Sequence, residues 1–495
     1  MSALKYVSIG GIWLVLLSCA PARAQQPADT PQDQQQGQQP SQPIPAIRSP
    51  LASGADNGDQ DEAPNPQEMK PDTRSLTGVE DLSLGTMALE RSYWQPRLAI
   101  SETVDSNPGS TTAGNGSWGT WTSVLGGVDI HKISGQSELF VSYTGGGMFS
   151  TGNNDASNGV IQELSVKAKY SFRRSTLSVF DQLNYLPESA FGFAGTAGAG
   201  LPGVGTGGAI GSSFTPGQSI LTPEGQNLSN AFAVELDTKL TPRTSLTFVG
   251  GYALLHYFDD NLLNYGDASF QVGYNYQLSR KDTLAVSYNF SAFRYSNVDQ
   301  SLNLNTIQGS YARRITGRLA FQISAGPQFV SSRFPVTGST SSTVSPQTSS
   351  SQLYWSLNTS FQYRLKRAQI SASYSHGVSG GSGILAGAET DIATGTYSQR
   401  VSRTFNVDLD VGYSRNRGIA GVAGSVESEA QSFSYWFSGV NVAHPIGRSL
   451  DIFANYQFQY QDNNTSGCTG STCSTNTIRH QIAFGLNLHR QPIPF

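Results

Sequence analysis

Apolar and polar residues alternate with a period of two between residues 450 and 461, which read LDIFANYQFQYQ. Successive side chains of a β-strand point to opposite faces of its sheet, so this segment predicts a strand with one apolar side and one polar side. Phe453 is the one apolar residue on the polar side. The apolar side consists of Leu450, Ile452, Ala454, Tyr456, Phe458 and Tyr460.

The same alternation recurs from Trp94 to the end of the chain. It is clearest in the segments 164–170, 268–278, 353–365 and 405–413. A soluble β-sandwich would turn the apolar sides inward to a core. A membrane barrel instead turns them outward to lipid and lines its lumen with the polar sides. The connections between the strands decide between these two folds.

Short polar turns and long loops rich in Gly, Ser, Asn and Thr alternate strictly along the chain. The eight short turns lie at 131–137, 172–176, 241–245, 279–283, 314–318, 364–368, 401–404 and 445–448. The nine long loops lie at 107–117, 147–159, 187–228, 259–264, 296–301, 333–350, 377–393, 415–429 and 461–476. Short periplasmic turns and longer extracellular loops are typical of outer-membrane barrels. The sequence therefore predicts an all-β fold, a transmembrane antiparallel up-and-down β-barrel of about 18 strands, with 16 as the alternative.

Two predicted strands fit this pattern poorly. In 177–186 the acidic residue Asp181 shares the parity of Val179 and Leu183, which would point a carboxylate at lipid. In 302–311 the apolar parity changes at Thr306. A β-bulge shifts the alternation by one residue and would restore the pattern in each of these strands; the alternative is a strand count that differs by two.

The N-terminus predicts export and then a linker. Residues 1–24 read as a secretory signal peptide, with an apolar run after Lys5 and a small-residue cleavage site that ends at Ala24. The alternative is a lipoprotein signal in which Cys19 becomes the lipidated first residue. Residues 25–93 begin with a long Pro- and Gln-rich stretch and predict a disordered periplasmic linker, with an optional short helix at its end. The barrel is expected to occupy residues 94–495.

Composition supports this assignment. Charged residues make up 13% of the chain, against about a quarter in typical soluble domains, and glycine occurs 53 times. No stretch after the signal approaches the ~20 apolar residues that a membrane-spanning helix requires. The formal net charge is −4, which argues against a nucleic-acid partner because such proteins carry basic surfaces.

The end of the chain resembles a known assembly signal. The last alternating segment is followed by the terminal residue Phe495, which is similar to the C-terminal aromatic read by the barrel-assembly machinery of Gram-negative bacteria. Pro492 and Pro494 separate Phe495 from that strand, so it cannot simply be the final strand residue. Residues 94–495 as a whole resemble the β-barrel porins of environmental Gram-negative bacteria, and ETVDSN at 102–107 is similar to Asp-Asn stretches found in them.

This resemblance implies an integral outer-membrane protein with its linker in the periplasm. Its partners would be outer-membrane lipid, the barrel-assembly machinery during biogenesis and small hydrophilic solutes. The monomer and the homo-oligomer are both compatible with this resemblance. The first functional hypothesis is a porin-like channel for passive diffusion. The alternative is a non-conducting structural or interaction barrel, and a barrel enzyme is the least favoured class.

Motifs for enzymatic or cofactor chemistry are weak or missing. Gly203, Gly205 and Gly208 formally match a dinucleotide-binding pattern, but they lie in a Gly-rich loop without the strand and helix that such a site needs. The six histidines show no metal-ligand spacing. We therefore predict no enzyme, cofactor or metal site. Cys468 and Cys473 predict a small loop disulfide in an oxidising compartment, with a metal-binding pair as the alternative.

Two groups of residues are candidates for the function of a channel. Charged residues on the polar parities are expected to line the lumen: Lys167, Lys169, Glu235, Asp237, Lys239, Arg364, Asp408, Asp410 and Asp451. The alternative to a role in selectivity is that these residues are polar only because water fills the lumen. The longest loop, 187–228, occupies the position of the loop that narrows general diffusion porins, and it is expected to form the constriction with Glu188, Phe191, Phe193 and Glu224.

Overall fold

A computed structural model describes the strands of the chain and most of their connections. The described residues are 92–107, 118–151, 158–186, 226–258, 262–296, 299–335, 347–381, 384–402, 405–419, 431–465 and 474–495. Within these ranges no helix has the length and apolar character needed to cross a membrane. The predicted signal peptide and almost all of the predicted linker lie outside the described residues.

The described residues form eighteen long strands and one short one. The first nine strands are β1 Tyr93–Asp105, β2 Gly119–Ser134, β3 Ser137–Ser150, β4 Gly159–Ser171, β5 Ser175–Leu186, β6 Asn227–Thr241, β7 Thr244–Tyr257, β8 Tyr265–Gln277 and β9 Asp282–Tyr295. The others are β10 Gln300–Thr316, β11 Leu319–Pro335, β12 Gln347–Arg364, β13 Ala368–Ser379, β14 Ala388–Ser402, β15 Phe405–Gly418, β16 Gln431–Ile446, β17 Leu450–Thr465, β18 Ser474–His489 and β19 Ile493–Pro494.

The sheet closes into a barrel in which each long strand pairs antiparallel with its neighbours in sequence. Closure occurs where β1 pairs with β18, from Arg97 opposite His489 to Asp105 opposite Gln481. The prediction of an 18-stranded antiparallel barrel is therefore confirmed. Several predicted loops are shorter than expected, because β3 continues to Ser150 and β14 begins at Ala388. Small polar residues at strand ends continue the hydrogen-bonded ladder as well as apolar ones do.

The alternation of side chains separates the two faces of the barrel. In β17, Ile452 and Tyr456 are exposed on the outside, whereas Gln457 and Gln459 are buried on the inside. Phe453, the residue that interrupted the polar parity, is buried on the inner face and contacts the backbone of Gly485 closely enough to exclude a side chain there. The outer face is thus apolar and exposed, as a lipid-facing surface requires.

Strand β5 contains no bulge. The pairing of β5 with β4 and β6 runs without a register shift, so Asp181 lies on the outer parity. Its Oδ1 accepts a hydrogen bond of 2.8 Å from Nδ2 of Asn230, which lies on the outer parity of β6. A polar neighbour on the next strand, and not a shift of the backbone, therefore compensates this carboxylate.

Strand β10 likewise contains no bulge at Thr306. The register continues through this residue, and Leu302 and Leu304 turn into the barrel while Asn303 and Asn305 turn out. On the outer face Asn305 pairs in register with the exposed Phe329 of β11. Its Oδ1 accepts a hydrogen bond of 2.7 Å from the hydroxyl of Tyr288. A hydroxyl on the next strand therefore satisfies this outward amide, while Leu302 and Leu304 pack against other buried apolar residues inside the barrel.

The C-terminal segment returns to the first strand. After β18 the chain passes residues 490–492 and pairs again with β1, with Ile493 opposite Trp94. The backbone nitrogen of Phe495 donates to the carbonyl oxygen of Ser92 at 3.4 Å. Phe495 is therefore not the last residue of β18, as the prolines predicted, but it does end beside the seam where the barrel closes.

Candidate functional site

The inner face of the barrel is the candidate site, since its side chains would meet any solute in the lumen. On β1–β3 it carries a network that the sequence reasoning missed. Arg97 of β1 donates to Asp129 of β2 at 3.2 Å and to Thr144 of β3 at 2.6 Å. The hydroxyl of Ser142 donates to Asp129 at 2.6 Å. These residues alternate with apolar neighbours along their strands. Once the strand register was known, this alternation alone would have identified them as facing the lumen.

The predicted residues Lys167 and Lys169 lie on the inner parity of β4. The Lys167 ammonium lies 5.0 Å from the centre of the Phe180 ring on β5, a cation–π distance. Lys169 is buried and lies opposite Glu138 of β3. Glu138 in turn contacts His131 of β2, with 2.9 Å between Oε1 and Nε2. The result is a row across three strands in which the Glu138 carboxylate lies between a lysine and a histidine.

Glu235, Asp237 and Lys239 lie along β6. Glu235 is buried and pairs in register with Ser178 of β5, which itself lies opposite Lys169. Asp237 accepts a hydrogen bond of 3.2 Å from the hydroxyl of Thr247. Lys239 is exposed near the end of the strand. The structure thus brings Lys169 and Glu235 to the same level of the wall, two strands apart.

The remaining predicted residues lie on β12, β15 and β17. Asp408 and Asp410 are two residues apart on the inner parity of β15, and Asp408 accepts a hydrogen bond from Asn441 at 3.4 Å. Arg364 is exposed at the end of β12. Asp451 of β17 contacts His489 of β18 at 3.2 Å, and His489 pairs in register with Arg97 of β1. Asp451 therefore adjoins the network on β1–β3, whereas Asp408 and Asp410 form an acidic pair apart from it.

Four predicted loop residues and the two cysteines lie outside the described residues. Glu188, Phe191, Phe193 and Glu224 belong to the predicted constriction loop, and Cys468 and Cys473 to the predicted disulfide. Their assigned roles stay predictions.

A different segment enters the lumen, and the sequence reasoning did not anticipate it. It comprises residues 377–381 and 384–387, here called the in-folded segment. The last pair between β12 and β13 is Leu357 with His376, and beyond it β13 leaves β12. Beyond this pair the side chain of Gln328 on β11 replaces β12 as the hydrogen-bond partner of β13. Its Oε1 accepts from the backbone nitrogen of Val378 at 2.7 Å.

The in-folded segment reaches β9, four strands away. The hydroxyl of Tyr295 donates to the carbonyl oxygen of Gly380 at 2.9 Å. A Cβ on Gly380 would lie 2.6 Å from Cε1 of Phe293, so only glycine permits this approach. Gly381 has a φ of 83°, which also favours glycine. The apolar triplet Ile384-Leu385-Ala386 within a Gly- and Ser-rich loop was the available signal in the sequence.

Apolar residues pack around this segment on the inner face. Ten buried side chains, here called the upper apolar cluster, contact one another there: Leu255, Tyr257, Leu262, Tyr265, Phe293, Tyr295, Leu302, Leu304, Val330 and Val378. Ile384 and Ala386 of the in-folded segment pack against them. Burial of these apolar side chains stabilises the position of the segment inside the barrel.

A pocket of about 220 Å³ lies between the in-folded segment and the wall formed by β7–β12. One end is bounded by Tyr265, Phe293 and Leu304 of the upper apolar cluster. The rest is lined mostly by amides and hydroxyls, which include Asn289, Thr306, Gln308, Gln328, Ser356 and Asn358, together with Asp267 and His376.

Comparisons with known proteins give a remote likeness of fold. No protein-family model matches this chain, and no curated protein sequence does. The crystal structure of OccAB3 from Acinetobacter baumannii matches at 12% identity with a TM-score of 0.37, covering 81% of this chain and 100% of that one. The outer membrane protein opdK from Pseudomonas aeruginosa matches at 11% identity with a TM-score of 0.37, covering 80% and 99%. OccK2 (OpdF) from Pseudomonas aeruginosa, crystallised in complex with glucuronate, matches at 10% identity with a TM-score of 0.38, covering 81% and 99%.

Proposed function

We propose that this protein is an outer-membrane channel through which small hydrophilic solutes diffuse passively, and that it is not an enzyme. The observation that supports this most directly is the division of the barrel wall, which is apolar and exposed outside and polar and charged inside. A barrel with this many strands encloses an aqueous channel unless something occupies its lumen. Its polar lining then replaces part of the hydration that a solute loses on entry.

The location follows from the same proposal. The signal peptide 1–24 would deliver the chain to the periplasm, where the barrel-assembly machinery would insert residues 94–495 into outer-membrane lipid. The linker 25–93 would remain periplasmic, because both ends of the barrel chain lie on the short-turn side.

The charged inner wall would act as a selectivity filter. Lys167 and Lys169 on β4 lie across β5 from Glu235 and Asp237 on β6, so this part of the wall attracts ions of both signs. Asp408 and Asp410 face the lumen from the opposite side and favour cations. We propose a moderate preference for cations, set mainly by this acidic pair.

The purified protein in planar lipid bilayers tests the channel directly. We expect discrete single-channel currents in salt solution, and swelling of proteoliposomes in small sugars and amino acids. A heat-modifiable, protease-resistant barrel that inserts but gives neither would refute the channel and favour the structural or interaction barrel.

The loop 187–228 is proposed as an additional constriction. Excision of residues 192–222 should raise the single-channel conductance severalfold if this loop narrows the pore. Unchanged conductance in a folded variant would leave the constriction to the in-folded segment and the upper apolar cluster.

A further inference from the structure

The pocket beside the in-folded segment differs in chemistry from the rest of the inner wall. Among the described residues that line it, Asp267 is the one acidic side chain and His376 the one histidine, and none is a lysine or an arginine. Amide and hydroxyl side chains supply most of its polar atoms. Such groups both donate and accept hydrogen bonds, so they suit a ligand that does the same.

Two buried acceptors in this lining have no protein partner. Asp267 is 2% exposed, and its Oδ1 accepts no hydrogen bond within the described part of the chain. Oδ1 of Asn289 is likewise buried and accepts none there. A buried acceptor without a partner is unfavourable, so each atom calls for a donor from solvent or from a ligand.

The register of β8 and β9 spaces these acceptors along the pocket. Asp267 pairs with Phe293, and Phe293 lies four residues from Asn289 on the same strand. At about 3.3 Å per residue the two acceptors stand roughly 13 Å apart along the strand. The Asp267 end is apolar and aromatic, with the rings of Tyr265 and Phe293 at 5.7 Å and nearly perpendicular. The Asn289 end is rich in amides.

We propose that this pocket binds a small neutral saccharide, of one or two sugar rings, during its passage through the channel; this rests on the proposed function. The hydroxyl groups of a sugar would donate to Asp267 and Asn289 and exchange hydrogen bonds with Gln308 and Asn358. The apolar face of a ring would lie against Phe293. Anionic solutes are disfavoured, because Oδ1 of Asp267 and Oδ1 of Asn289 are acceptors, and His376, the one histidine among the described lining residues, already faces the carboxylates of Asp391 and Glu389.

The in-folded segment forms one side of this site. Gly377 approaches Gln328 and Ser356 so closely that a Cβ would lie 3.2 Å and 3.4 Å from their side-chain oxygens. Gln328 also holds Val378 through Nε2, which donates to its carbonyl oxygen at 3.3 Å. The hydrogen bonds that keep the segment folded inward thus also complete the pocket.

Titration calorimetry of the full-length barrel in detergent micelles tests this proposal without requiring conduction. The probes are glucose and maltose, with glucuronate and glucosamine as an acid and an amine of similar size. We expect the neutral sugars to bind and glucuronate to bind at least tenfold more weakly. Asp267→Asn should weaken neutral-sugar binding about tenfold, since an amide nitrogen, which can only donate, replaces one of the two acceptor oxygens.

Asp410→Asn is the matched control, because it removes the same charge from the inner wall outside the pocket. It should leave sugar binding unchanged while it alters ion selectivity. Asn289→Leu provides a second variant if Asp267→Asn does not fold, and it should abolish binding by removing an acceptor and filling space.

Several results would overturn the pocket: tight binding of glucuronate, binding of glucosamine alone, or wild-type binding in both Asp267→Asn and Asn289→Leu. Binding without any single-channel current would refute the channel and keep the pocket. A single-channel current without sugar binding would refute the sugar-binding pocket and keep the channel.

Discussion

Arginine placed at Ala372 should destabilise the barrel, whereas arginine at the adjacent residue Ser373 should be tolerated. Both side chains are small and exposed in β13, but they point to opposite faces. Ala372 lies on the outside beside Phe361 and Gly395. Ser373 lies on the inside, where its hydroxyl contacts that of Thr394 at 2.5 Å.

The expected magnitude follows from the height of Ala372 in the barrel. It lies five residues above Arg367 in the turn before β13. A strand tilted by about 40° rises roughly 2.6 Å per residue along the barrel axis, which places Ala372 about 13 Å above the turn and near the middle of an apolar band of ~25 Å. Arginine on the lipid face at the midplane costs about 2–4 kcal/mol, or roughly 30- to 700-fold in the folding equilibrium.

Reversible urea unfolding in lipid vesicles measures this cost. Ala372→Arg should lower the unfolding free energy by the amount above, and Ser373→Arg by less than about 1 kcal/mol because its charge would lie in a lumen that the proposal fills with water. Ala372→Leu controls for size and should be neutral or slightly stabilising. Equal losses for the two arginine variants, or a larger loss at Ser373, would show that the faces of the barrel wall are assigned the wrong way round.

Three further predictions concern other parts of the chain. Arg479 and Asp105 form an ion pair of 2.6 Å between β18 and β1, and both side chains are 0% exposed. Arg479→Met should therefore lower the free energy of unfolding in urea by about 3–5 kcal/mol, and adding Asp105→Asn should recover much of this loss. An unaltered unfolding midpoint in the single variant would show that the pair does not stabilise the closure between β1 and β18. Cys468 and Cys473 should be oxidised in protein from intact membranes, and modification of both thiols by a maleimide without reductant would disprove the disulfide. Asp408→Asn with Asp410→Asn should shift the reversal potential toward anion preference in a salt gradient, whereas an unchanged potential would remove this pair from the filter.

The barrel itself could be predicted from the sequence because its determinants are local. A period of two marks the faces of every strand without knowledge of its partners, and loop length marks the two ends of the barrel. The count of eighteen strands followed from these two signals. The inner orientation expected of Lys167, Glu235 and Asp408 came from the same parity.

Tertiary structure decided the features that depend on residues far apart in the chain. Asp105 meets Arg479 across 374 positions, and Asp181 meets Asn230 on the next strand. Leu302 and Leu304 turn inward, where they pack in the upper apolar cluster with residues of other strands, and the local pattern cannot show those partners. The in-folded segment is held by Gln328 and Tyr295, on strands that a hairpin count cannot place opposite it. Alternation indicates which way a side chain points, but the closed sheet determines what it meets there.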